Sequence, residues 1–145
     1  MRKKTPFHAS IFLCRDTSMR LNQVTITVRD VDAAVDFYVK LGLKPIVKSP
    51  HYARFTCPEG DSTFSVHVGD TPENPSTVVY FEDDELDSTV KNLKSAGLQF
   101  ESEPSDQRWL WREARLCDPS GNPICLFQAG ANRLNPPWRL PESLP

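Results

Sequence analysis

The chain carries one pattern twice, and this repetition limits its possible folds more than any other feature. Leu21 to Val28 alternates, with Val24, Ile26 and Val28 on one side and Gln23, Thr25 and Thr27 on the other, as a half-buried strand does. Asp30 or Asp32 can then cap a helix whose Val31, Val35, Tyr38 and Leu41 form one apolar stripe, stopped by Gly42. The pattern returns as a strand over Val78 to Phe81, a cap at Asp84 or Asp87, a stripe of Leu86, Val90 and Leu93, and a stop at Gly97. Asp32 to Asp87 and Gly42 to Gly97 are each 55 residues apart, and the same step carries Val24 onto Val79 and Val35 onto Val90.

The second half of each copy corresponds as well. Pro58-Glu59-Gly60 and Pro119-Ser120-Gly121 are turns 61 residues apart, and each leads into an alternating strand in which Phe64 and Val66 match Ile124 and Leu126 at a step of 60. Further strands are expected over Lys44 to Lys48, Tyr52 to Thr56, Leu98 to Glu101 and Trp109 to Cys117. Each copy is therefore β-α-β-β-β, with units at about residues 20–69 and 76–130 of a domain spanning 19–130. The expected fold class is α+β. Helices cover the Val24, Ile26, Val28, Val79 and Phe81 side, and the opposite faces of two curled sheets surround a cup-shaped cavity.

Composition removes several classes of function. At 145 residues the chain has room for one domain, because a second would need about 100 residues of its own. A formal charge of -2 leaves no basic excess to neutralise phosphates, so nucleic acid is not an expected partner. No apolar run approaches the roughly 20 residues of a membrane span, so a membrane is not expected either. The chain is 39% hydrophobic and 25% charged, which sets it apart from disordered proteins. Residues 1–18 read as a loose extension, in which Ile11 to Cys14 is too short and too interrupted for an export signal, and Met19 is a candidate start. Residues 131–145 are Pro-rich and expected to lie extended, with Trp138 as an anchor. The four cysteines, Cys14, Cys57, Cys117 and Cys125, show no CxxC spacing, which fits a reducing cytoplasm.

Val28-Arg29-Asp30-Val31, the run Ala34 to Tyr38 with Leu41-Gly42-Leu43, and the late turn Asp118-Pro119-Ser120-Gly121-Asn122 together resemble the vicinal oxygen chelate superfamily, which groups glyoxalase I, bleomycin-resistance proteins and ring-cleaving dioxygenases. The resemblance covers about residues 20–130 and implies the paired-unit fold; a fold by itself hosts many activities. In metal-dependent members four inward-facing positions hold the ion, and these fall here on Gln23, Ser65, Val78 and Cys125. The family pattern uses mostly His and Glu there. A neutral amide, a hydroxyl, an alkyl group and a thiol are weak donors for a hard dication. His67, two residues past Ser65, is the one rescue candidate, as a ligand with Gln23 and Cys125 or as a base for Cys125. The expectation is no metal and no other cofactor, with catalytic residues unassigned.

Trp109 and Trp111 are expected on one strand face, with Glu113 and Arg115 continuing it. Two indoles in line suit a planar ligand, or else packing across a dimer interface or under the C-terminal tail, and Arg115 on the same face is a candidate anchor for a carboxylate or phosphate. Gln23, Ser65, His67, Val78 and Cys125 would line the base of the cup, and Trp109, Trp111 and Arg115 one wall. The reading is a metal-free protein that binds a small organic molecule, aromatic or antibiotic, as a homodimer. Two alternatives remain at this stage: a metal-dependent lyase, isomerase or dioxygenase with an atypical ligand set, and an accessory or regulatory protein with a vestigial cavity.

Overall fold

The structure, a computed structural model, describes residues 18–142. The first unit runs β1 (Gln23–Val28), α1 (Val31–Leu41), β2 (Lys44–Lys48), β3 (Tyr52–Thr56) and β4 (Thr63–Val68). The second runs β5 (Val79–Glu82), α2 (Leu86–Ser95), β6 (Ser105–Asp106), β7 (Arg112–Cys117) and β8 (Pro123–Gln128). Each unit folds into a four-stranded sheet, ordered β1-β4-β3-β2 and β5-β8-β7-β6. In both, the first strand pairs parallel with the last and the remaining pairs are antiparallel. Among the described residues no helix is long and apolar enough to cross a membrane.

Local chemistry sets the helix ends. Asp30 is extended, and its carboxylate accepts a hydrogen bond from the Ala33 N–H at 3.1 Å, satisfying a donor that the first turn leaves free. Gly42 has φ 113°, a conformation that a Cβ would strain, and the Leu43 N–H closes the helix on the Tyr38 carbonyl at 2.9 Å. The second helix departs from expectation at its start. Neither Asp84 nor Asp87 caps it; Asp83 accepts from the Glu85 N–H and from the Thr89 hydroxyl, both at 2.7 Å. Asp83 is still tied to the sheet through its own N–H, which donates to the Phe127 carbonyl, so among four consecutive acids it is the one held at the right height. Asp87 instead pairs with Arg112.

The second sheet also departs from its copy along its edge. Leu98 to Glu101 is not a strand; a single bridge joins Phe100 to Leu116, and β6 occupies the edge instead. The Ser102 hydroxyl, in place of a backbone carbonyl, takes the Arg115 N–H, and Pro104 has no N–H to offer, so the ladder breaks there. The expected strand from Trp109 begins only at Arg112, because Leu110 sits at φ 68° in a turn closed by the Gln107 N–H on the Trp111 carbonyl. β5 starts one residue late, at Val79, which leaves Val78 just outside it.

One core serves both units. Ile26, Val28, Phe64 and Val66 from the first sheet join Leu116, Ile124 and Leu126 from the second, with both helix stripes packed over them. Phe64 and Phe81 meet edge to face across the two units, 5.7 Å between ring centres. At about 25 cal/mol for each Å² of apolar surface removed from water, such side chains each contribute roughly 2 kcal/mol, the dominant stabilising term. A polar latch lies beside them. The buried Asp118 carboxylate accepts from the Tyr38 hydroxyl at 2.8 Å, from the Ser120 and Asn122 N–H groups, and from the Asn122 amide. Asn122 in turn donates to the Thr27 carbonyl, and the Arg29 N–H donates to Ser120. Burial first, then the neighbouring carboxylate, pushes the Tyr38 phenol well above its ordinary pKa, so it stays a proton donor.

The chain leaves β8 through a short 3-10 turn, Gly130–Asn132. Trp138 is 56% exposed, so the anchoring expected of it is not seen among the described residues. The expected extension at 1–18 lies, but for its final residue, outside the described residues.

Candidate functional site

The alternation that buries one face of each sheet presents the other face, and the candidate site residues lie there. In the first sheet the parallel register places Gln23 beside Thr63, Thr25 beside Ser65 and Thr27 beside His67. Each pair is hydrogen-bonded: the Thr63 hydroxyl donates to Gln23 at 2.7 Å, the Thr25 and Ser65 hydroxyls meet at 2.5 Å, and Thr27 meets His67 Nε2 at 3.2 Å. On β3, Tyr52 lies opposite His67 and Arg54 opposite Ser65. The Arg54 Nε donates to the Tyr52 hydroxyl at 2.9 Å. The Ser65 hydroxyl and then Arg54 hold the Tyr52 phenol below its ordinary pKa. This face is a lattice of hydroxyls, an imidazole and a guanidinium.

The second sheet offers different chemistry. Tyr80, Cys125 and Arg115 share one row, and Glu82, Phe127 and Glu113 the next. Trp111 stacks on Phe127 with ring centres 4.6 Å apart and planes inclined by 21°. Tyr80 meets both rings edge on, at 6.1 and 5.8 Å. Val78 packs against this cluster, as does the wholly buried Cys125. Glu113 is only 3% exposed; one carboxylate oxygen accepts from the Trp109 indole at 2.7 Å and the other from Arg115 at 3.1 Å. Burial, reinforced by Glu113 and only partly offset by Arg115, pushes the Cys125 thiol up to about 12. At physiological pH the thiol is therefore protonated and a poor nucleophile.

The expected site residues thus fall into two groups. Gln23, Ser65 and His67 share the first face; Val78, Trp109, Trp111, Arg115 and Cys125 gather on the second. Among the described residues no hydrogen bond joins the two faces. A cleft of about 370 Å³ beside α1, floored by Phe37, Leu98 and Cys117, contains none of them. Neither tryptophan lies on β7: Trp111 immediately precedes it, and Trp109 reaches the same face from the turn before, through its bond to Glu113. Two roles went unassigned in the sequence. Glu113 organises the second face, and Tyr80 and Phe127 complete its aromatic surface. The period-two register that located Val78 and Cys125 would have found both aromatics two residues further on.

The four positions at which metal-dependent members hold an ion do not fit one here. The Val78 side chain has no donor atom, Cys125 is a wholly buried thiol raised above its ordinary pKa, the Ser65 hydroxyl is engaged with Thr25, and Gln23 is a neutral amide bonded to Thr63. His67 has both ring nitrogens within bonding distance of Thr27 and the Val68 carbonyl. Among the described residues no three His, Cys, Asp or Glu side chains come together as a ligand group.

Two β-α-β-β-β units that share one core and carry polar and aromatic groups on their open faces define a paired-unit α+β protein. The sequence model of the Glyoxalase/Bleomycin resistance protein/Dioxygenase superfamily matches residues 20–126, and the chain belongs to that superfamily. Among proteins of curated function, none matches by sequence. Solved structures share the fold. A glyoxalase/bleomycin resistance protein/dioxygenase from Nocardioides superimposes with a TM-score of 0.67 at 22% identity, covering 86% of this chain and 93% of that one. A bleomycin resistance determinant encoded on transposon Tn5 gives 0.65 at 23%, covering 77% and 99%. A bleomycin-binding protein in complex with bleomycin gives 0.63 at 22%, covering 77% and 98%.

Proposed function

We propose that this protein binds a small organic molecule with a planar, aromatic part, without a metal, in a cavity completed by a second copy of the chain. The observation that carries this reading is the aromatic shelf of the second sheet. Trp111 stacked on Phe127, with Tyr80 across their edges, is a flat apolar surface, and Tyr80 and Trp109 remain 44% and 37% exposed. A shelf of this kind holds a ring by stacking and apolar burial, while the neighbouring polar groups set its orientation. The likeness to a bleomycin-binding protein supports an antibiotic or similar compound as the ligand, with sequestration as the role.

In this reading Gln23, His67 and the buried Ser65 belong to one wall of the cavity, and Trp109, Trp111, Arg115 and Val78, backed by the buried Cys125, to another. A homodimer supplies the enclosure that one chain lacks. Each open face is a single wall, and β2 is exposed along its length, including Ile46 at 49% and Val47 at 42%. A cytoplasmic setting suits Cys57, Cys117 and Cys125, which form no disulfide among the described residues. Tryptophan-fluorescence titration and thermal-shift measurement with bleomycin and with naphthalene-type probes test the reading, alongside sedimentation velocity. Quenching that disappears in Trp111→Ala, on a dimer, supports it. No response to any planar probe, or one tightly bound metal per chain that is lost on changing His67, overturns it.

A further inference from the structure

We propose that Arg54, and not Arg115, is the anchor for an anionic group on the ligand, so that the preferred ligand is a planar aromatic carrying a carboxylate or similar oxyanion. This rests on the binding reading above. Most arginines of the described chain are already satisfied. Arg112 is bonded to Asp87 and Asp106, Arg115 to Glu113, Arg133 to Glu82, and Arg139 to Glu142. Arg29 donates to Thr71 and to the Pro119 carbonyl. Arg115 in particular faces a carboxylate buried beside it, so the pair presents no net charge to a ligand.

Arg54 is different. It is half-buried on the open face of the first sheet, and among the described residues no carboxylate pairs with it. It is nevertheless held in place: Nε donates to the Tyr52 hydroxyl at 2.9 Å, and the guanidinium carbon lies 5.5 Å from the centre of the Tyr52 ring. That tether uses one donor and leaves the two terminal NH2 groups without a protein acceptor among the described residues. An oriented guanidinium whose fork is uncommitted matches the two oxygens of a carboxylate. The residue opposite it in register is the buried Ser65, whose hydroxyl is engaged with Thr25 and so places no acceptor on the open fork. A half-buried cation without a counter-ion is also costly, and an arriving anion offsets that cost.

The test compares 2-naphthoate with its neutral isostere 2-naphthamide, by calorimetry at pH 8, on the wild-type protein, Arg54→Gln, Arg54→Lys and Arg115→Gln. A charge-assisted, two-pronged hydrogen bond predicts that the wild type prefers the carboxylate by about tenfold. Arg54→Gln should abolish that preference while leaving amide affinity within about twofold, and Arg54→Lys should keep only part of it. Arg115→Gln should retain it. Inorganic phosphate should displace the naphthoate and leave the naphthamide bound. If the amide binds as tightly as the carboxylate, or if Arg115→Gln rather than Arg54→Gln removes the preference, Arg54 is not the anchor and the binding reading stands. If neither probe binds, both proposals fall together.

Discussion

The open face of the first sheet and the open face of the second occupy equivalent places in two copies of one unit, yet they are held together differently. On the first, Thr25 and Ser65, Thr27 and His67, and Gln23 and Thr63 meet as separate hydrogen-bonded pairs, and Arg54 is tethered by a phenol alone. On the second, stacked rings and a buried carboxylate bind Trp109, Trp111, Phe127, Arg115 and Cys125 into one cluster. The core faces behind them stayed alike because both must fill the same close-packed interior. The open faces carried no such demand and diverged. Recognition chemistry can therefore change on this fold at little cost to stability on the first sheet, but only with repacking on the second.

That contrast can be broken by mutation. Trp111→Ala should have the largest effect, removing the ring stacked on Phe127 and costing about 3 kcal/mol of unfolding free energy in urea, together with most planar-ligand affinity. A loss below about 1 kcal/mol would mean that the shelf is not part of the folded scaffold. Glu113→Gln comes next, at about 2 kcal/mol, because the Trp109 indole and Arg115 lose a charged acceptor in a buried place. A blue-shifted tryptophan emission in that variant would contradict the release of Trp109 toward water.

A third effect shows only in alkali. The Cys125 thiol rises from an ordinary 9.0 to about 12 on folding, so the folded chain keeps a proton that the unfolded chain releases between those values. Stability should be unaffected below about pH 9 and fall from there toward pH 12, and Cys125→Ala should flatten that fall. An unchanged slope in alkaline denaturation curves would assign the loss to other groups, among them Cys117, which rises to about 11. The smallest effect is expected on the first face. Thr27→Val should change stability by about 0.5 kcal/mol or less, since its exposed hydrogen bond to His67 contributes little. A cost above 2 kcal/mol would erase the distinction between the faces.

Much of the architecture was legible because it rests on local or periodic rules. The Asp30 cap, the Gly42 stop and the stripe ending at Leu93 follow from neighbours within a turn of helix, and the alternation around Ser65 and Cys125 assigned both to their open faces. Other features were not. Four adjacent acids gave no reason to prefer Asp83 as the residue that ties down the helix start until its N–H met the Phe127 carbonyl. Alternation from Trp109 ran straight through Leu110, whose positive φ turns the chain there. Arg54 and Arg115 look equivalent in sequence, and only their neighbours separate a charge already neutralised from one left open.

By itself, the amino-acid order determined a β-α-β-β-β unit written twice, the faces its strands bury, and open-face positions poor in strong metal donors. These depend on periodicity and residue type, which act over a few residues. The tertiary structure alone decided which polar groups find partners: Glu113 with Trp109 and Arg115, Asp118 with Tyr38 across the two units, and no carboxylate for Arg54 among the described residues. Hydrogen bonds and ion pairs act over a few ångströms in space, between residues whose separation along the chain carries no record of their meeting.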